Sequence, residues 1–303
     1  MMNPTNIEEV AATSPIEFRH VSISFDGQQV LSDVSFTLRS NEMLLITGAS
    51  ASGKSVLLRL AMGLLQPDQG QIFVLGREIS ALEEDEILTI RSEGLGMVFQ
   101  EEALFTGMDV YQNAAYRLEE HDWPAEKVDA AVREILGFVG LEHDMEKEVF
   151  ELSGGMKRRL EFARAIIGWP PIMLFDEPTS GLDPINAQQV RDMIIRAREF
   201  HQMSSLFVSK VMHEIEYLAT RYARTDEAGN ILVREAGTHH QPKTRVMVLD
   251  EGKIVFLGNH DEFKHSQLHA ITQLVNPHPN IVTPDFYTAD PWSKKGRSAD
   301  KLL

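Results

Sequence analysis

An α/β fold is what this sequence predicts, and three observations carry the prediction. Residues 43–47 are a short apolar run of strand type, and residues 172–175 are apolar on both faces, the pattern of a central parallel strand. Residues 56–62 follow the first run with helical character, and helical spacing recurs at Val128, Val132, Ile135, Leu136 and Val139. Residues 16–25 and 30–38 instead alternate about every second position across an Asp26-Gly27 turn. An antiparallel pair therefore precedes the buried strands.

Taken in order, residues 1–14 read as a loose leader ahead of a domain over 15–265. After the helix of residues 56–62, Gln66-Pro67-Asp68-Gln69-Gly70 is a turn cluster, residues 71–75 are strand-like, and residues 94–99 form a strand ending at Gln100. A helical subdomain spans about 101–168. Its second helix opens at Ser153-Gly154-Gly155, runs through Leu160 and Ile167, and is stopped by Trp169-Pro170-Pro171. Residues 204–208 are a strand, followed by a helix through Glu214, Leu218 and Arg221. Residues 224–244 turn polar and read as an exposed insertion of hairpin type. His239-His240 within it lack the further ligands a metal site needs, so they read as solvated loop residues. Residues 245–250 and 253–257 form a last hairpin around Glu251-Gly252. The tail over 266–303 carries Pro277, Pro279, Pro284 and Pro291 and reads as extended.

Composition narrows the function. A formal charge of −16 argues against a nucleic-acid partner as the main role, because phosphate backbones need Lys/Arg-rich faces. The absence of cysteine excludes disulfides, thiolate metal sites and cysteine nucleophiles. The start of the chain is acidic and polar, unlike a secretion signal, and no run of about 18 apolar residues occurs. A membrane role would therefore come through a partner.

Gly48-Ala49-Ser50-Ala51-Ser52-Gly53-Lys54-Ser55 fits G-x-x-x-x-G-K-[ST], and it stands between a strand and a helix as that motif requires. The glycines let backbone N–H groups converge on a phosphate, and the helix beginning near Val56 turns its positive end to the same point. Lys54 would reach the β- and γ-phosphates and the Ser55 hydroxyl would ligate Mg²⁺. Four fixed positions recur by chance in about one chain in a hundred of this length, and the strand–helix context makes a chance match rarer still. Asp176-Glu177 directly follows the buried strand of residues 172–175. A carboxylate there can hold Mg²⁺ and its neighbour can orient or deprotonate water. Ser153-Gly154-Gly155 is a second helix start with a hydroxyl and open N–H groups, suited to an anion.

With these motifs in place, residues 16–263 resemble the ATP-binding cassette (ABC) ATPases. Residues 48–55 match Walker A, Gln100 the Q-loop glutamine, Leu152-Ser153-Gly154-Gly155-Met156 the signature motif, residues 172–177 Walker B with Glu177 as catalytic glutamate, and Ser180-Gly181-Leu182-Asp183 the D-loop. The resemblance implies a mixed-sheet core with an antiparallel β subdomain and a helical signature subdomain. It implies catalysis by Glu177, Lys54, Gln100 and the residue at the switch position, and Mg²⁺ held by Ser55, Gln100 and Asp176. ATP would be contacted by residues 48–56, from Gly48 to Val56, and by Ser153, Gly154, Gly155 and Asp183. Phe25 stands where the family places an aromatic stacked on adenine; a core strand aromatic is the equal alternative. One set of motifs implies a half that dimerises, sandwiching two ATPs between two copies.

A narrower similarity lies in residues 99–116 and 152–159, which look like the cassettes of MCE-associated (Mla-type) phospholipid transport. That similarity implies a permease docked near residues 103–116, an MCE-domain protein reached through the permease, and a place on the cytoplasmic face of the inner membrane. Leu104, Phe105 and Met108 are the apolar candidates for that surface, or else part of the subdomain's own core. The alternatives are the ATPase of a small-solute importer of amino-acid type, and a slowly hydrolysing regulatory cassette. Cassettes acting in translation or DNA repair carry two cassettes or a long coiled coil, which are lacking here. One position departs from the family: the switch histidine is replaced by Lys210, with His213 a turn further on.

Overall fold

The computed structural model describes residues 14–237 and 242–275. The leader up to residue 13, His239-His240 and the tail from residue 276 lie outside the described residues.

β1 (Ile16–Phe25) and β2 (Gln28–Leu38) pair antiparallel, with Phe18 opposite Phe36. β3 (Met43–Gly48) is buried along its whole length and runs through the glycine-rich loop into α1 (Lys54–Ala61). β4 (Gln69–Val74) returns beside β1 and β5 (Arg77–Glu78) ends a four-stranded antiparallel sheet in the order β2-β1-β4-β5. α2 (Glu84–Gly94), opened by a reciprocal Glu83/Glu86 capping box, leads to β6 (Leu95–Val98).

The helical subdomain follows: α3 (Val110–Glu119), α4 (Ala125–Val139) and α5 (Gly154–Ile166). β7 (Ile172–Asp176), α6 (Pro184–His201), β8 (Ser204–Val208) and α7 (Met212–Thr220) return the chain to the core. β9 (Arg221–Thr225) and β10 (Ile231–Glu235) form a separate hairpin, then β11 (Thr244–Asp250) and β12 (Lys253–Gly258) close the main sheet. α8 (His260–Lys264) and α9 (His269–Val275) end the described chain.

The main sheet has the order β12-β11-β3-β8-β7-β6, parallel except for the β11–β12 pair. Alternation along each strand divides its apolar side chains between two cores. Leu44, Ile46, Leu174 and Leu206 face α1 and the antiparallel sheet. Met43, Leu45, Phe175 and Phe207 face the helical subdomain. The carboxyl ends of β3, β7 and β8 therefore lie side by side between the cores, where an open α/β sheet binds its ligands.

Three features differ from the sequence reading. No individual helix is read from the sequence over α2, α3, α6 or α8, although α3 lies within the expected helical subdomain. Arg221 opens β9 instead of ending the preceding helix, so the hairpin begins three residues before the polar stretch. The tail is not extended from 266, because α9 forms there and buries Ile271 against the core.

Candidate active site

Gly48 ends β3 with φ +149, and a Cβ placed on it would stand 2.0 Å from the Leu249 carbonyl oxygen of β11, so only glycine fits. Ala51 and Gly53 also take positive φ (62° and 96°), which folds the loop back over its own strand. α1 starts at Gly53 without a side-chain cap, leaving its first N–H groups to the loop. Lys54 is buried and donates to Gly48 O (3.0 Å), Ala49 O (2.7 Å) and Ser52 Oγ (3.2 Å). Burial pulls its ammonium below the usual lysine range, against the pull of Glu177 and Asp176. Ala49 and Ser50 stay exposed at the loop tip, and Val56 is half-buried in the first turn of α1.

Across the loop, Ser55 Oγ donates to Asp176 Oδ1 at 3.0 Å. Asp176 closes β7, and burial raises its carboxyl above the ordinary aspartate value, with the Ser55 bond opposing that rise. Glu177 follows in a left-handed turn (φ 44°), its N–H tied to Val208 O at 3.0 Å. Lys210, two residues beyond β8, places its ammonium 3.0 Å from Glu177 Oε2. The structure thus gathers Lys54, Ser55, Asp176, Glu177 and Lys210. His213 is not among them: it is exposed on α7 with its ring beside Tyr217 (centroids 6.0 Å apart).

Gln100 is exposed just past β6, and its backbone joins the set through a residue the sequence did not flag. Arg158 of α5 donates to the carbonyls of Pro178 (2.6 Å), Phe99 (2.8 Å), Gln100 (3.2 Å) and Glu177 (3.4 Å), and pairs with buried Glu161 at 2.7 Å. Glu161 in turn accepts the Ala103 N–H at 2.8 Å. A second unflagged residue is Glu214, buried on α7. Its carboxylate accepts from Thr179 and from Ser209 (2.7 Å) and pairs with Arg191 at 3.3 Å. An arginine and a glutamate three residues apart on α5, and an acid in the first turn of α7, were the available signals.

Ser153 caps α5 by accepting the Met156 N–H, and Asp183 caps α6 by accepting from Ile185 and Asn186. The Asn186 side chain holds the Asp183 carboxyl below its usual range. Asn186 also lies over Gly155, where a Cβ would come within 2.1 Å of its Oδ1. Gly154 has open space instead. Ser153 and Asp183 thus bond within their own helix starts, not to the Lys54 cluster. Phe25 is 41% exposed at the end of β1 and outside both cores, which removes the core-aromatic alternative.

Leu104 packs on the subdomain core, while Phe105 stays 38% exposed. Phe105 lies against Tyr116 (centroids 4.6 Å apart) with the Arg164 guanidinium 4.7 Å over its ring. These side chains line a cleft of about 670 Å³ shared with Leu88, Met97 and Phe99. No described helix is long and apolar enough to cross a membrane.

Residues 31–180 match the family model described as ABC transporter. The protein named trigalactosyldiacylglycerol 3, chloroplastic, of Arabidopsis thaliana is 34% identical over 259 residues, which cover 83% of this chain and 70% of that protein. The methionine import ATP-binding protein MetN of Leifsonia xyli is 38% identical over 226 residues, covering 74% of this chain and 65% of its own. This chain therefore spans about two thirds of the length of these relatives. Among solved structures, cbiO1 of Clostridium perfringens superposes with a TM-score of 0.70 at 22% identity, covering 88% of this chain and 96% of that one. The loop geometry, the Ser55–Asp176 bond and these similarities lead to one conclusion: the chain belongs to the ABC transporter family, as one of its ATP-binding ATPase domains.

Proposed function

We propose that this chain works as one of two identical ATPase subunits that energise a lipid-moving membrane complex. The Ser55–Asp176 contact at 3.0 Å, with Glu177 next in sequence, carries the chemical part of the reading. On nucleotide binding Lys54 exchanges its loop carbonyls for β- and γ-phosphate oxygens, and the backbone N–H groups from Gly48 to Val56 cradle the phosphates. Phe25 stacks on adenine. Ser55, Asp176 and the Gln100 side chain would hold Mg²⁺; a hydroxyl and a carboxylate already in contact fit that hard-oxygen ion. Bound there, Mg²⁺ neutralises phosphate charge. Glu177 orients the attacking water and accepts its proton.

Ser153 and Asp183 bond within their own helix starts, and in this reading they complete, with Gly154 and Gly155, the nucleotide site of a second copy. A permease docks its cytoplasmic helix in the cleft beside Phe105, and an MCE-domain protein joins through it. This places the chain on the cytoplasmic face of the inner membrane. The lipid part rests on the Arabidopsis relative, whose name is that of a galactolipid. The similarity to MetN favours a second reading, methionine or related small-solute import.

The test is ATPase activity of the complex purified from membranes through a tag on this chain. Stimulation by added phospholipid with indifference to methionine is the expected result. Stimulation by methionine alone would replace lipid transport with solute import.

A further inference from the structure

The Lys210–Glu177 ion pair, 3.0 Å long, joins the departing switch position to the carboxylate that orients water. The segments that carry Glu177 and Lys210 are tied to each other and to the sheet. Its own N–H is bonded to Val208 O, two residues before Lys210. The Glu214 carboxylate binds both Thr179, two residues after Glu177, and Ser209, directly before Lys210. Ser209 is fixed further by its N–H to Ile46 O on β3. The two backbones that present the pair are therefore locked in register, and only the side chains are free to move. They differ in that freedom: the Glu177 side chain is 14% exposed and the Lys210 side chain 53%. Lysine has four rotatable bonds and three donors, so it can leave one anion for another without any backbone change.

The charge balance says what would move it. Lys54 and Lys210 face Asp176 and Glu177, both carboxylates and Lys210 act on Lys54, and Arg59 of α1 adds a further cation that acts on Asp176. A γ-phosphate adds negative charge beside Glu177 and competes for the more mobile ammonium. Resting on the site proposed above, we propose that Lys210 is a latch on Glu177 that γ-phosphate opens. In the nucleotide-free chain the ammonium occupies the carboxylate that must orient water. When γ-phosphate arrives, Lys210 transfers to it, neutralises it and frees Glu177. ADP, lacking that group, leaves the latch closed.

The test is an equilibrium binding cycle with Mg²⁺ and either AMP-PNP or ADP, on the full chain and on Glu177→Gln, Lys210→Ala and the double variant. In the wild-type background Glu177→Gln removes both the repulsion of γ-phosphate and the ion pair that must be broken. In the Lys210→Ala background it removes the repulsion alone. The latch therefore requires Glu177→Gln to tighten AMP-PNP more when Lys210 is present than when it is absent. The expected difference is about five-fold, the scale of one partly exposed ion pair. ADP affinity should stay the same in all four proteins, which also reports an intact loop. An equal or larger gain without Lys210 would show that the ammonium stays on Glu177, and would overturn the latch. So would a matching change in ADP affinity. Wild-type ATP turnover in Glu177→Gln would instead sink the role given to Glu177, whatever the binding cycle shows.

Discussion

Ser55 donates its hydroxyl proton to Oδ1 of Asp176 at 3.0 Å, joining positions 121 residues apart. Burial raises the Asp176 carboxyl, so the folded chain takes up that proton more readily than the unfolded chain. The sign follows: ionised Asp176 costs stability at neutral pH, and the cost disappears as pH falls through its raised value. Asp176→Asn should therefore raise the melting temperature of the nucleotide-free protein at pH 7.5 in EDTA, while cutting turnover by about 100-fold or more. A variant that melts lower than wild type would show that Asp176 is a structural carboxylate.

Gly48 and Gly154 make a matched pair of glycine tests. Alanine at Gly48 meets the Leu249 carbonyl, which is backbone and cannot swing away, whereas alanine at Gly154 meets nothing. Gly48→Ala should lower unfolding free energy by about 2 kcal/mol or more, read from a urea titration. Gly154→Ala should leave the urea midpoint unchanged. Any loss of activity in that second variant would then come from nucleotide contact, not folding.

Lys210 and His213 can be separated by turnover in the assembled complex. Histidine can donate and accept near neutrality, whereas lysine only donates. Lys210→His should hydrolyse ATP faster than wild type, and His213→Ala should match wild type. A collapse in His213→Ala with Lys210→Ala unaffected would move the switch to α7.

The apolar stretch after Gln100 divides into two behaviours. Leu104 packs on the core, so Leu104→Asp should destabilise the fold, seen as a lower melting temperature. Phe105 sits on the cleft rim, so Phe105→Asp should leave melting unchanged within a degree or two and abolish co-purification with membrane proteins. Retained co-purification would place the docking surface elsewhere.

How far the sequence could be read follows from which physics each residue obeys. The strands were legible because alternation at residues 16–25 and continuous apolarity at 172–175 are local signals of burial. Lys54, Ser55, Asp176 and Glu177 were legible through spacing and residue type. α6 is not read from the sequence although Asp183 and Pro184 form a cap and first turn, because Asp183 is taken up by the D-loop. Arg158, Glu161 and Glu214 were missed for a different reason. Charged residues usually signal a solvated face, and only the tertiary fold brings four carbonyls to Arg158 or a threonine, a serine and an arginine to Glu214. The partner of Lys210 was likewise unreadable, since it depends on how β7 and β8 end side by side.

Arg158 has a consequence for how this protein breathes. One guanidinium holds carbonyls at residues 99 and 100 and at 177 and 178, and it rides on α5. None of the three segments can open while the others stay shut, because each opening would leave a buried charge short of acceptors. Amide hydrogen exchange should therefore show them as a single cooperative unit with one protection level. Nucleotide should raise that level in all three together, and Arg158→Lys should split it into three independent rates.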